Sequence, residues 1–347
     1  MAEHGDRGDD RPVVRLSCLL RAYPGCNDGS GHSYDDIYWQ SPEVATFLIK
    51  ADGLGLTMSL INTGVLLLMP LLRPSGTARR SLEPNAQTAL ACLLLLSVLQ
   101  LLLLRKRVGV YLRYRHYISL GNRVLRAAVA LLPALNRNGD VLGNWGSPEQ
   151  YSAAAALALY AVFPSFLPLQ ASCAYPLPIR AGIIMQPLAT AVALCWLWHS
   201  PASMHKLPGM HAVATSVCSI FRSVFELMLC LVTDMGFMPG VAAAGLAAFG
   251  LPDRCKTGMV YAQLLVFATL LLSFMVPLYT AYVSELHHKL SFWQARGMAV
   301  KADRSLLLPL PETPLASHVV VGVVAPTVLW FVAESLAPYM QLVSLAQ

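Results

Sequence analysis

AQTALACLLLLSVLQLLLL followed by RKRVGVYLRYRHYISLGNRVLR, residues 86–126, decides how the chain is to be read. Ala86 to Leu104 carries no charge. At about 1.5 Å per residue a helix of that length nearly crosses a hydrocarbon core of about 30 Å. The second part holds the densest positive charge in the chain. At about 100° per residue, Arg105, Arg113, His116 and Arg123 share one side of a helix, with Arg115 and Arg126 at its edge. Tyr111, Tyr114, Ile118 and Leu125 lie opposite. The pattern predicts an amphipathic interfacial helix over 105–126. Its Arg105, Lys106, Arg107, Arg113, Arg115, Arg123 and Arg126 would contact anionic lipid headgroups. A span over 117–135 competes with this reading. Arg123 and Arg126 count against it, because each costs roughly 2.5–3.5 kcal/mol at mid-bilayer.

Composition points the same way. Of 347 residues, 56% are hydrophobic and 13% charged, and mean hydropathy is +0.53. A soluble domain carries about 25% charged residues. So little polar surface cannot cover a globule of this size in water, and lipid is the expected cover. Net charge is +6. The cations sit beside apolar runs, so the bilayer and its anionic headgroups are the expected partners and nucleic acid is not. Protein partners and oligomeric state leave no signal.

The fold class expected is all-α: a polytopic transmembrane helix bundle of about seven spans, between six and nine, with one basic interfacial helix. Residues 1–43 read as a polar, largely disordered cytoplasmic tail, and 44–347 as a single transmembrane helical domain. MAEHGDRGDDRP has no apolar stretch behind a basic start, so no targeting segment is expected. Spans are predicted near 54–72, 86–104, 151–170, 181–198, 211–232, 259–283 and 317–337. Pro187 and Pro277 fall inside two of them. The small-residue run 234–253 reads as a re-entrant segment or a thin span. With seven spans, most of the 25 Lys and Arg residues fall on the side of the N-terminal tail. The N-terminus is therefore expected in the cytoplasm and the C-terminus outside. If 117–135 and 236–252 both cross, the two flips cancel and the same ends result.

The fifth span is the most informative chemically. Thr215, Ser219, Arg222 and Glu226 recur along one helical stripe, and Arg222 and Glu226 are spaced to pair. Charges inside a membrane tend to face a bundle interior or a wet cavity. Together with Glu334 of the last span, the stripe predicts a transport path or polar cavity. Structural pairing of Arg222 with Glu226 is the plainer explanation of the same spacing. Cys173 and Cys255 fall in loops expected on the exoplasmic side, where a disulfide between them is allowed. His287 and His288 point about 100° apart on a helix and do not form a metal pair. No catalytic set, nucleotide loop or metal motif occurs, so neither a cofactor nor a metal is expected. A DRY-like end to the third span and an NPxxY-like seventh are absent. The expected function is a transporter or channel-like protein for a small solute or ion, its path along the fifth span. The alternative is a non-catalytic membrane scaffold or sensor acting through cytoplasmic loops.

Overall fold

The computed structural model of the chain describes residues 13–15, 34–68, 84–130, 177–197, 208–234, 259–297, 299–301 and 315–345, with short pieces between 152 and 175 and Cys255. The described helices are α1 (Tyr34–Gln40), α2 (Pro42–Leu68), α3 (Pro84–Lys106), α4 (Val108–Ala130), α5 (Ile179–Trp196), α6 (Met210–Asp234), α7 (Val260–Ala295) and α8 (Leu315–Leu345). Strands β1 (Val13–Arg15) and β2 (Ala299–Lys301) form a short parallel pair, with Val14 opposite Val300. Five helices are long and apolar enough to cross a membrane: α2, α3, α6, α7 and α8. Helix α5 is apolar but shorter. This suits an integral, multi-pass membrane protein. The expected third span, 151–170, is described only in fragments, and the re-entrant segment 234–253 lies almost wholly outside the described residues.

Local chemistry sets the helix ends. α2 begins at Pro42, well before the predicted 54. Ser41 caps it, its Oγ accepting the Val44 amide at 3.3 Å, and Pro42 takes the first helical position, where a missing N–H costs nothing. α1 lies inside the expected disordered tail, and its Tyr38 is buried against Phe292 with ring centroids 5.3 Å apart. The turn that closes α7 holds Gly297, whose φ of 75° suits a residue without a Cβ, and whose amide donates to the Gln294 carbonyl at 2.9 Å.

Pairwise contacts give each helix its direction. Ser59 meets Ser97 while Gly53 lies beside Leu104, so α2 and α3 are antiparallel. Asp52 meets Arg115 and Ser59 meets Arg126, so α2 and α4 run parallel. The chain reverses between α3 and α4 at Arg107 alone. α5 and α7 are antiparallel, with Ile179 at Glu285 and Gln186 at Ser273. α7 and α8 are antiparallel, with Phe267 at Trp330 and Tyr279 at His318. α6 runs parallel to α7, with His211 at Tyr261 and Phe225 at Phe267.

The apolar core between α6, α7 and α8 centres on four rings: Phe221, Phe225, Phe267 and Trp330, in edge-on and tilted contacts with centroids 5.2 to 6.0 Å apart. Such pairs add about 0.5–1.5 kcal/mol each beyond their buried area. Ala214 and Cys218 of α6 are buried in the same cluster as Val260, Tyr261 and Leu264 of α7.

Cys255 is bonded to Cys218, not to Cys173, with Cα atoms 5.6 Å apart. Cys173 lies outside the described residues. Cys218 lies on the same inward face of α6 as Ala214 and Phe225, which brings it to the start of α7. The bond also constrains topology. Asp234 stands about 24 Å farther along α6 than Cys218 at 1.5 Å rise per residue. Cys255 is bonded at the level of Cys218, that far back from the last described residue of α6. Non-reduced proteolysis followed by mass spectrometry should recover Cys218 and Cys255 in one linked peptide. Cys218→Ser and Cys255→Ser should each abolish the link and cost about 3–4 kcal/mol for a loop of 37 residues, whereas Cys173→Ser should leave it intact.

Candidate functional site

One side of α4, bearing three of its arginines, is turned into the protein. Tyr111, Arg115, Ser119, Asn122, Arg123 and Arg126 are buried along one side, whereas Val110, Tyr114, Tyr117, Leu120, Val124 and Leu125 are exposed on the other. The expected headgroup contacts of Arg115, Arg123 and Arg126 are replaced by contacts within the bundle. Arg105, Lys106, Arg107 and Arg113 remain exposed. The expectation erred because lipid and water were taken as the alternatives for an arginine side chain. Other helices supply a third environment, in which each guanidinium finds oxygen acceptors.

Three sets of contacts follow one another along this face. First, Arg115 meets Asp52 in a two-point pair, Nε at 2.6 Å and Nη2 at 2.8 Å. The Tyr111 hydroxyl donates to the same carboxylate at 3.0 Å. Arg115 is 2% exposed and Asp52 0%, so this ion pair is fully withdrawn from solvent. Second, the Gln100 and Asn122 amides exchange hydrogen bonds at 3.2 and 2.9 Å, tying α3 to α4. Third, Arg126 donates to the hydroxyls of Ser59, Ser97 and Tyr175, and its guanidinium lies 5.5 Å from the Tyr175 ring centroid.

Arg123 carries the core onward. It donates to the Tyr175 carbonyl from Nη2 at 2.8 Å and to the Ser172 carbonyl at 3.3 Å. Its Nη1 reaches Gln186 Oε1 at 3.4 Å, and that oxygen also accepts the Ser172 hydroxyl at 2.9 Å. Gln186 Nε2 then donates to the Ser273 carbonyl. That carbonyl is available for a reason visible in the sequence. Proline at 277 has no N–H to return to the carbonyl four residues earlier, which is Ser273. The helix passes the defect by widening into a π-helical turn over Leu270–Met275. A buried glutamine from α5 takes the orphaned acceptor.

A second buried charge pair lies where α7 ends. Lys289 Nζ is 2.6 Å from Glu285 Oε1, and both side chains are buried. Glu285 Oε2 accepts the Ile179 amide at 2.7 Å, capping the start of α5. Tyr38 and Trp39 of α1 hold their ring centroids 5.6 and 5.7 Å from the ammonium. This cluster fixes α1 and α5 to α7.

The residues expected to form a path on α6 are placed differently from the core. Arg222 and Glu226 do pair, at 2.7 Å, and remain 16% and 30% exposed. Ser219 is exposed, Thr215 half-buried, and Glu334 of α8 buried. The neighbours of α6 take its Ala214, Cys218, Phe221 and Phe225 side. The polar stripe is rotated roughly a quarter turn from that side at about 100° per residue. His287 and His288 hold their rings 6.0 Å apart, and no group of three metal-binding side chains occurs among the described residues.

Sequence reasoning missed Asp52, Ser59, Ser97, Tyr175 and Gln186 as site residues. Asp52 and Tyr111 carried a usable signal. Asp52 is an acid inside an apolar helix, and Tyr111 lies one turn from Arg115. Tyr175 and Gln186 carried none, because their role depends on which helices meet. No protein-family model, curated protein or solved structure matches the chain.

Removing one partner of the Asp52–Arg115 pair leaves a buried charge unmatched and should cost about 3–5 kcal/mol. Asp52→Leu and Arg115→Met should each lower the unfolding midpoint of the detergent-solubilised protein. The double variant Asp52→Leu with Arg115→Met should recover much of the loss. Additive losses in that cycle would show that the two side chains do not act as a pair.

Proposed function

We propose that the chain is a multi-pass membrane carrier or channel-like protein for a small polar solute or ion, with its path through the α4-centred core and not along the α6 stripe. The continuity of buried polar groups supports this reading. They extend from Tyr111 to Arg126, about 22 Å of helix rise. They also extend sideways through Tyr175 and Gln186 to the π-helical turn of α7. Polar and ionisable groups inside a membrane protein are costly to retain and mark pathways and binding centres. A carrier needs an element that can rearrange, and a π-helical turn followed by proline is a weak point in a long helix.

In this reading α4 crosses the bilayer alongside α2. The end carrying Lys50, the Arg105–Arg107 turn, Arg113 and Arg296 lies in the cytoplasm, following the positive-inside bias. Its exposed arginines and lysines contact anionic headgroups, at about 1 kcal/mol each. The opposite end, with the start of α7 and the Cys218–Cys255 disulfide, faces an oxidising compartment. The N-terminus is then cytoplasmic and the C-terminus exoplasmic. Cysteine substitutions test the orientation. Lys106→Cys should react with a membrane-impermeant maleimide only after permeabilisation, and Gln87→Cys in intact cells. The reverse pattern would invert the assignment.

Reconstituted into liposomes, the protein should move at least one of a panel of chloride, phosphate and small carboxylates. Gln186→Leu should lower that flux at least tenfold, while Glu226→Gln changes it less than twofold. Flux that follows Glu226 and ignores Gln186 would return the path to α6. If the folded protein moves no solute, a scaffold or sensor becomes the better reading.

A further inference from the structure

We infer that the inward face of α4 around Arg126 binds an oxyanion, a phosphate- or sulfate-like group seated between the Arg126 and Arg123 turns. The inference rests on the core being the functional path and names the class of ligand it takes.

Arg126 is only 7% exposed. Its partners among the described residues are three hydroxyls and an aromatic ring, all neutral. This differs from Arg115, whose charge is met by Asp52 at two points. Arg123 lies one turn from Arg126 on the same helix and is buried too. Its contacts with Tyr175, Ser172 and Gln186 are to carbonyl and amide oxygens. Like charges one turn apart on a helix repel, and burial weakens the screening that relieves exposed pairs. A bound anion would remove that repulsion.

Donor geometry narrows the anion. Arg126 Nε and Ser119 Oγ are buried on this same face and make no hydrogen bond among the described residues. Both can donate, and seven residues of separation place them two turns apart on one side of α4. A guanidinium offers parallel N–H groups in a plane, matched to two oxygens of a phosphate or sulfate. A halide is a single acceptor centre and cannot meet separated donors through different atoms. Several separated donors of one sign therefore favour an oxyanion over chloride. The shared chemistry admits two sources, a free anion or the phosphate of a lipid headgroup.

The test is equilibrium binding to the full-length protein, independent of flux. In phosphatidylcholine nanodiscs, inorganic phosphate should raise the thermal unfolding midpoint saturably, and chloride at equal ionic strength should not. Arg126→Lys keeps the charge but loses the fork, and should weaken the phosphate response at least tenfold. Ser119→Ala, a small change that keeps the fold, should weaken it about fivefold and serves if the Arg126 variants do not fold. A phosphate response unchanged in Ser119→Ala and in any folded Arg126 variant overturns the site, as does equal stabilisation by chloride and phosphate. A response seen only when phosphatidic acid replaces part of the phosphatidylcholine, and lost in the same variants, supports the oxyanion site and assigns its ligand to a headgroup. It also counts against a freely moving solute. Phosphate binding without flux sustains the site while the carrier reading fails. Flux with no oxyanion response sustains the carrier and overturns the site.

Discussion

The burial of Arg115, Arg123 and Arg126 on α4 is the constraint on which the bundle depends. A guanidinium does not give up its proton when withdrawn from water, so burial has to be answered by oxygen atoms brought to it. Arg115, Arg123 and Arg126 are spaced along one face of one helix, and each draws in a different neighbour. Asp52 and Ser59 come from α2, Ser97 from α3, and Gln186 from α5. Tyr175 completes the ring, its carbonyl serving one arginine and its hydroxyl the next. Apolar packing alone would leave these helices free to slide or rotate at little cost, since lipid is as apolar as leucine. Directional contacts to three cations in register fix both the rotation of α4 and the heights of its neighbours.

The same network reaches α7 through a backbone defect. Pro277 removes the partner of the Ser273 carbonyl, and the π-helical turn spreads that loss over Leu270–Met275. In water the carbonyl would be solvated. Inside a bundle it needs a donor, and Gln186 brings an amide whose other end holds Arg123. One glutamine therefore couples a flaw in α7 to the charge on α4. A change in the width of the π-helical turn would move Gln186, and with it the acceptor that Arg123 sees.

Legibility followed the kind of information each feature requires. Long uncharged runs such as Ala86–Leu104 declare helices in a membrane setting, because hydrocarbon thickness and helix rise alone determine their length. The amphipathicity of α4 was equally plain from its periodicity. Which of its faces looks inward was not, because a wheel records angles and not surroundings. Arg113 and Arg115 differ by two residues, and only Asp52, far away in sequence, decides that the second is buried and the first exposed. The Arg222–Glu226 pair was legible for the opposite reason, as both partners lie on one helix four residues apart. Cys218 was obscured by its apolar neighbours. Nothing in a run of hydrophobic residues distinguishes a packed thiol from half of a disulfide.

The two charged regions also differ in what they ask of their surroundings. On α6 the Arg222 guanidinium and the Glu226 carboxylate cancel locally, at 2.7 Å and with partial exposure, so little field escapes beyond the pair. On α4 the Asp52 carboxylate answers Arg115 and stands about two turns of α2 from Ser59, the residue beside Arg126. Neutral hydroxyls stabilise a cation through dipoles and leave its net charge in place. In a medium of low effective permittivity that charge acts over a long range. A self-neutralising pair is satisfied by its own helix. Among the described residues the Arg126 guanidinium is met by dipoles, so its attraction for negative charge stays in place, which is the physical difference between the α4 core and the α6 stripe.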